Sequence, residues 1–285
     1  MQIQNIVVPI DFSRRGDRAL EQADLLAKEE GAKLTVLHTI HLRLMERLLV
    51  GDRRNQLLED TKRQLEAHTK GCCKSDAESL VEMGNPADVI MDTARLRQAD
   101  LVVIGDHGEF HLKDAVLGTT ARQVIEHAHL PILVVKTPES KPYKRIFLAT
   151  DFSDASYRAI ALAMRLFEGA TFILYHGYIV PSDTVSERYN LADKEISQMH
   201  EQMRQSASEE LERFKATLPS EATLETLLLP ATSPAQDILS AALESEADLI
   251  ALGTKGVGSF MPMMVGSVAD AMLRRAPIDM LIYKS

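Results

Sequence analysis

Residues 99–120 of the chain read ADLVVIGDHGEFHLKDAVLGTT, and residues 247–268 read ADLIALGTKGVGSFMPMMVGSV. Each stretch has a strand-length apolar run, a glycine, two residues, a second glycine, nine residues, a third glycine and then a hydroxyl residue. Self-similarity of this kind indicates a duplicated domain. The glycines are Gly105, Gly108 and Gly118 in the first copy and Gly253, Gly256 and Gly266 in the second.

Shorter segments outside the glycine stretches repeat in the same order. The pairs are Asp11-Phe12-Ser13 with Asp151-Phe152-Ser153, His38 with His176, and Pro86-Ala87 with Pro234-Ala235. A polar segment that carries two prolines, residues 138–144, separates the copies and is typical of a linker between domains. The sequence therefore predicts two domains of nearly equal size, at 1–137 and 145–285.

Apolar runs of strand length alternate with helical patterns through both halves. The predicted strands are residues 3–10, 34–37, 78–82, 101–104 and 131–135, then 145–150, 171–175, 223–229, 248–252 and 279–283. Long helical regions are predicted at about 41–70 and 186–215, and a shorter helix at about 119–127. Alternation of this kind is typical of a parallel sheet covered by helices. The predicted fold class is α/β, with two tandem doubly wound domains that each contain a five-stranded parallel sheet.

Composition limits the classes of function. The chain has 285 residues, 45% of them hydrophobic and 26% charged, which is typical of globular domains. Its net charge of -9 argues against general nucleic-acid binding. The apolar runs are too short to cross a membrane, and the first residues read as a strand rather than a secretory signal. We therefore expect a cytoplasmic protein without membrane insertion.

Glycines that follow a parallel strand let the backbone approach a phosphate group closely and direct amide N–H groups toward it. The third glycine and the next hydroxyl residue fall where a helix begins, so free amides and the helix dipole favour an anion there. Ligands of doubly wound sheets bind where the strand order reverses, beyond the carboxyl ends of the strands. Asp11 and Asp151 end the first strand of each half, at that crevice.

The ordered set of motifs resembles tandem members of the universal stress protein superfamily, whose nucleotide-binding branch carries the same glycine and hydroxyl pattern. The resemblance implies an adenine nucleotide alpha hydrolase-like fold and a bound ATP, AMP or ADP, with or without Mg²⁺. It also implies that the last strands, residues 132–135 and 280–283, pair to form an intramolecular pseudo-dimer. Further association into a homodimer and the identity of protein partners are left open.

The glycine pattern and the resemblance together predict the nucleotide-binding residues. In the first half they are Asp11, Thr39, Gly105, Gly108, Gly118, Thr119 and Thr120; in the second half they are Asp151, Gly177, Gly253, Gly256, Gly266, Ser267 and Val268. The alternative is that the glycines only form tight turns and that the aspartates cap or turn the chain. We expect the second site to bind more readily, because the first loop carries the carboxylates Asp106, Glu109 and Asp114.

The sequence contains no complete catalytic motif, and we predict no catalytic residues and no metal site. Cys72 and Cys73 are adjacent and are interpreted as ordinary thiols. His107 and His111 are interpreted as loop residues. The leading hypothesis is a stress-response protein that binds an adenine nucleotide and acts as a regulatory or interaction module. The alternatives are a nucleotide-independent interaction protein and a weak ATPase.

Overall fold

The computed structural model describes residues 3–41, 52–106, 117–180, 193–219, 223–254 and 266–284. The ten strands of this described part are β1 (Asn5–Pro9), β2 (Lys33–Ile40), β3 (Ala77–Met83), β4 (Leu101–Gly105), β5 (Ile132–Val135), β6 (Arg145–Ala149), β7 (Thr171–Ile179), β8 (Thr223–Ala231), β9 (Leu249–Gly253) and β10 (Asp279–Tyr283). The eight helices are α1 (Arg14–Glu30), α2 (Asp52–Cys72), α3 (Pro86–Leu96), α4 (Thr119–His127), α5 (Asp154–Leu166), α6 (Asp193–Lys215), α7 (Pro234–Glu244) and α8 (Ser267–Arg275).

The chain forms two compact units. One contains Met1–Pro142 and Pro277–Lys284, and the other contains Tyr143–Ala276. The strand order is β3-β2-β1-β4-β5-β10 in the first unit and β9-β6-β7-β8 in the second. In both units the order reverses beside the first strand, between β1 and β4 and between β6 and β9. The predicted α/β class with mostly parallel sheets and tandem domains is confirmed.

The last strand of the chain belongs to the first compact unit. β10 pairs antiparallel with β5, with Met280 opposite Val134 and Ile282 opposite Ile132. All four residues of β5 are buried, and an apolar strand of this kind would be an exposed edge without a partner. This is the pairing of last strands that the resemblance implied.

The helix starts follow the local sequence. Ser13 and Ser153 are the N-caps of α1 and α5, and each hydroxyl accepts a hydrogen bond from a backbone N–H three residues later. Asn85 caps α3 in the same way, followed by Pro86 in the first turn. The predicted helix at 41–70 is observed from Asp52 onward, and residues 42–51 lie outside the described residues.

The repeated Ala-Asp-Leu segments have a structural role. The carboxylate of Asp100 accepts hydrogen bonds from the backbone N–H groups of Gln4 and Asn5, at 2.8 and 3.0 Å. Asp248 accepts from Lys144 and Arg145 in the same way, at 2.9 and 3.1 Å. Each aspartate therefore satisfies the first amides of the neighbouring central strand.

Candidate functional site

The turn that follows each central strand is built around an aspartate. Asp11 Oδ1 accepts hydrogen bonds from Ser13 N at 3.1 Å and from Ser13 Oγ at 2.5 Å. Asp151 Oδ1 accepts from Ser153 with the same two distances. The carboxylates thus turn the chain into α1 and α5, as the alternative interpretation proposed. A nucleotide contact through either aspartate stays a prediction.

A phenylalanine in an uncommon backbone conformation fixes each turn. Phe12 and Phe152 have φ values of 62° and 63°, in the left-handed region that bulky residues rarely adopt. The ring centroids of Phe12 and His38 lie 4.6 Å apart, and those of Phe152 and His176 lie 4.2 Å apart. Strain of this kind persists only where neighbouring contacts hold it in place. The same strained turn in both halves therefore marks a constrained end of the central strand.

Each histidine also ties the first two strands of its unit together. Nδ1 of His38 lies 2.9 Å from the carbonyl oxygen of Ile10, and Nδ1 of His176 lies 2.9 Å from that of Thr150. Since a carbonyl oxygen only accepts, Nδ1 is the protonated nitrogen and donates in both cases. This hydrogen bond therefore links the orientation of each imidazole ring to the position of the turn that follows the central strand.

The first glycine of each pattern lies where the sheet touches the following helix. A Cβ atom on Gly253 would lie 2.6 Å from Ser156 N and 2.7 Å from Ala155 C. A Cβ atom on Gly105 would lie 3.0 Å from Arg15 O. Both neighbours are backbone of the first turn of a helix, so the absence of a side chain brings the end of the strand against the aspartate turn.

The third glycine closes each loop and begins a helix. Gly118 N donates to Asp106 O and Gly266 N donates to Thr254 O, both at 2.7 Å. The two glycines are the N-caps of α4 and α8, with identical φ and ψ of -59° and 151° and without a side-chain cap. The backbone N–H groups of the first turn are therefore left without a side-chain partner at the N-cap. Thr119 and Thr120 in α4, and Ser267 and Val268 in α8, lie in these first turns.

Three buried hydroxyl groups near the strand ends have no hydrogen-bond partner among the described residues: those of Thr39, Tyr175 and Thr254. Thr254 is 1% exposed and follows Gly253 directly. Burial and the neighbouring Asp237 raise the pKa of Tyr175 to about 12. Unpartnered buried polar groups are rare in folded proteins, and two of these three hydroxyl groups, those of Tyr175 and Thr254, belong to the second unit.

The residues that follow His38 and His176 differ between the halves. Thr39 has a side chain whose hydroxyl is buried, whereas a Cβ atom on Gly177 would lie 2.8 Å from Ala231 Cβ and 2.9 Å from Tyr175 Oη. Gly177 therefore offers only its backbone, because Tyr175 and Ala231 occupy the space of a side chain.

The start of the first loop is electrostatically more crowded than that of the second. The carboxylate of Asp106 lies 3.7 Å from the guanidinium of Arg15, and it also interacts with the ammonium of Lys136. In the second half Thr254 stands at the corresponding position. The predicted residues Gly108 and Gly256, with His107, Glu109, His111, Asp114, Lys255 and the methionines 261, 263 and 264, lie outside the described residues.

Sequence reasoning missed one side-chain cluster between α1 and α2. His68 Nε2 lies 2.7 Å from Asp17 Oδ1 and 3.7 Å from Cys72 Sγ, and the three ligand-type atoms lie within 4.8 Å of one another. The four-residue spacing of His68 and Cys72 was a usable signal, since it places both on one helical face. Asp17 comes from 51 residues earlier and only the fold brings it there.

A scan against protein-family models matches the description "Universal stress protein family" twice, at residues 2–136 and 142–284. The chain belongs to the universal stress protein family. The curated relatives are single-domain in length: Universal stress protein MJ0577 of Methanocaldococcus jannaschii is 26% identical over 157 residues, which cover 48% of this chain and 97% of that protein. Universal stress protein MJ0531 of the same organism is 30% identical over 144 residues, covering 48% and 85%.

The whole fold has a solved counterpart in the same family. A universal stress protein from Archaeoglobus fulgidus DSM 4304 superposes with a TM-score of 0.64 at 20% identity, covering 100% of this chain and 99% of that chain. This likeness shows that the fold of the whole chain occurs in another solved structure. No helix among the described residues combines the length and the hydrophobicity needed to cross a membrane.

Proposed function

We propose that this universal stress protein binds an adenine nucleotide, with ATP as the first candidate, and that the second half provides the principal site. The observation that carries the proposal is the geometry at α8. Its N-cap Gly266 has no side-chain cap and is tied by a 2.7 Å hydrogen bond to Thr254, which directly follows β9. Uncapped amides at a helix N-terminus beside the strand-order reversal favour a phosphate group.

The charges around the two loops support this choice of half. Residues 253–259 read GTKGVGS, which contains no carboxylate and one lysine. Residues 105–114 read GDHGEFHLKD, which contains three carboxylates that oppose a triphosphate. We propose that the first site binds the same class of ligand more weakly, with Arg15 and Lys136 offsetting part of the charge of Asp106.

In the proposed site the phosphates lie on the backbone amides of Gly253, Gly256, Gly266, Ser267 and Val268, with the hydroxyl of Ser267 as a further donor. Asp151 and the backbone of Gly177 contact the ribose or the adenine at the carboxyl ends of β6 and β7. The buried hydroxyl of Thr254, which has no partner among the described residues, is available for a polar contact at the mouth of the loop. Mg²⁺, where present, is bound through the phosphates.

Nucleotide occupancy then biases the conformation or the partner contacts of a cytosolic stress-response protein. Such a switch requires different affinities of the nucleotide for two states of the protein. Binding rather than catalysis is proposed because no group has been assigned to activate water. Slow ATP hydrolysis is the secondary proposal, since a positioned triphosphate needs only charge stabilisation to react.

The test is to purify the chain without added nucleotide, denature it, and identify the released small molecules by mass spectrometry. ATP binding is then titrated to the wild type and to Ser267→Ala, an exposed hydroxyl whose removal leaves the core intact. Thr119→Ala is the matched control in the first half. We expect a released adenine nucleotide and a larger loss of ATP affinity in Ser267→Ala than in Thr119→Ala.

The opposite result has a defined meaning. No released nucleotide and no ATP binding on titration would favour the nucleotide-independent interaction protein. Phosphate release that tracks the integrity of the second site and stops on removal of Mg²⁺ would support the weak ATPase.

A further inference from the structure

We infer that Asp17, His68 and Cys72 form a zinc site between α1 and α2, independent of the nucleotide site. The three side chains supply an oxygen, a nitrogen and a sulfur atom from two packed helices, and all three are half-buried. Mixed sulfur, nitrogen and oxygen donors of this kind suit Zn²⁺, whereas Mg²⁺ and Ca²⁺ prefer oxygen ligands alone.

The distances fit a tetrahedral ion with a small adjustment. Zinc bonds of about 2.3 Å to sulfur and about 2.0–2.1 Å to nitrogen and oxygen place neighbouring sulfur and nitrogen ligands about 3.6 Å apart, and nitrogen and oxygen ligands about 3.4 Å apart. The observed distance between Cys72 Sγ and His68 Nε2 is 3.7 Å. The hydrogen bond of 2.7 Å between His68 Nε2 and Asp17 Oδ1 must open by about 0.7 Å.

Nε2 of His68 is close to both of the other proposed ligand atoms. An ion pair between His68 and Asp17 alone would not require the thiol of Cys72 to lie there as well. His68 Nε2 contacts the carboxylate of Asp17 and the thiol of Cys72 at the same time. The ring is held in this direction by Phe12, whose ring meets that of His68 edge to face with centroids 5.3 Å apart. The three donor atoms all lie within 4.8 Å of one another.

The surroundings of the thiol favour a cation. The carboxylates of Asp17 and Glu21 both place negative charge close to the sulfur atom of Cys72. Glu21 lies one turn after Asp17 on α1, and its carboxylate accepts a hydrogen bond from Ser140 Oγ at 3.3 Å. This negative charge attracts a divalent ion. The fourth coordination position is left to a water molecule.

The second half supplies an internal comparison, because it contains the same pair of helices with apolar residues in these places. Tyr157 stands four residues after the N-cap Ser153, as Asp17 does after Ser13. The ring centroid of Phe214 lies 5.5 Å from that of Phe152 and 6.2 Å from that of Tyr157. Phe214 therefore packs against Phe152 as His68 packs against Phe12 in the first half. Leu218, four residues on, lies just beyond the end of α6 and is 7% exposed.

The packing of the two helices therefore does not require an aspartate, a histidine and a cysteine. In the second half, aromatic and aliphatic side chains pack between the two helices. The three polar side chains of the first half therefore have a role other than helix packing. On zinc binding the Cys72 thiol releases one proton to solvent. The imidazole proton, which Nε2 donates to the carboxylate of Asp17 in the metal-free protein, is exchanged through solvent onto Nδ1, so that Nε2 and the carboxylate can both bind the ion.

The experiment uses the full chain without a polyhistidine tag, treated with a chelator and kept reduced with a phosphine. Zinc is titrated in competition with a chromophoric chelator, and Co²⁺ is used as a spectroscopic probe. We expect one tight equivalent per chain and a sulfur-to-cobalt charge-transfer band. The double variant His68→Phe, Cys72→Leu, which copies the second half, should weaken zinc binding by more than about 100-fold and abolish the band.

Two further variants keep the test independent of folding. Asp17→Asn preserves the shape and a hydrogen-bond acceptor for His68 but removes the charge, and it should weaken zinc binding. Cys73→Ser alters the neighbouring thiol, whose pKa burial and Asp24 raise to about 12, and it should leave both affinity and band unchanged. The inference is overturned if the wild type binds no tight equivalent, or if either His68→Phe, Cys72→Leu or Asp17→Asn binds zinc as the wild type does.

Discussion

Lys136, the residue after β5, carries a charge that is mostly removed from water. Burial lowers its pKa from 10.5 to about 8, although Asp106 and Asp279 act in the opposite direction. The difference between these values corresponds to about 3 kcal/mol of preference for the neutral amine in the folded state. Replacing Lys136 by methionine, which keeps much of the length and removes the charge, should therefore stabilise the protein at neutral pH by about 3 kcal/mol.

The sign of the pH dependence follows from the two protonation states. Below pH 8 the folded protein holds a half-buried ammonium group, and the full cost of removing its charge from water is present. Between about pH 8 and 10.5 the unfolded chain still binds the proton that the folded chain has lost, so the stability of the wild type rises with pH. The advantage of Lys136→Met should shrink toward zero across this window.

The assay is urea unfolding followed by circular dichroism at several pH values from about 7 to 10. Thiol and phenol groups whose pKa values are raised, such as Cys73 and Tyr175, lower stability at high pH in both proteins, so the difference between them isolates Lys136. Lys33→Met, at an exposed position, is the control. A wild type that is more stable than Lys136→Met at pH 7, or a difference that does not change with pH, would refute this reasoning.

Three other predictions test the packing and the turns. Gly253→Ala should destabilise by about 1–3 kcal/mol and more than Gly105→Ala, because its Cβ atom meets backbone at 2.6 Å rather than 3.0 Å; thermal unfolding of the two variants would contradict this if their order were reversed. Asp279→Ala removes a carboxylate that accepts from two backbone N–H groups at 2.7 and 2.8 Å, and chemical denaturation should show a loss of about 2–4 kcal/mol. Ser153→Ala removes the N-cap of α5 and should cost about 0.5–2 kcal/mol in the same assay, so an unchanged midpoint would argue against the cap.

Several elements could be predicted from local sequence to within one residue. The predicted limits of α4 and β10 agree with those observed, and β5 begins one residue after its predicted start. Each of these elements is bounded by a residue with a strong local preference: Gly118 before α4, Pro131 before β5 and Pro277 shortly before β10. Where a cap or a proline restricts the backbone, neighbours in the chain suffice to set the boundary.

Other boundaries could not be predicted because partners distant in sequence set them. β2 and β7 continue past the predicted ends at residues 37 and 175, through His38 and Gly177, because the ladders with β3 and β8 continue. Histidine and glycine give no strand signal of their own. The candidate nucleotide residues were found because glycine spacing is local, whereas their contacts with Arg15 and Ser156 depend on how the helices pack.

The sequence by itself determined that this protein is a duplicated α/β chain of the universal stress protein type, because the repeated glycine loops and alternating apolar runs encode local conformation and period. Only the tertiary structure decided that β10 pairs with β5 in the first compact unit. It also decided that Asp17, His68 and Cys72 meet in the first half, whereas Tyr157 and Phe214 pack against each other in the second. Contacts between distant segments depend on which helix faces pack together, and the spacing of residues along one segment does not contain that information.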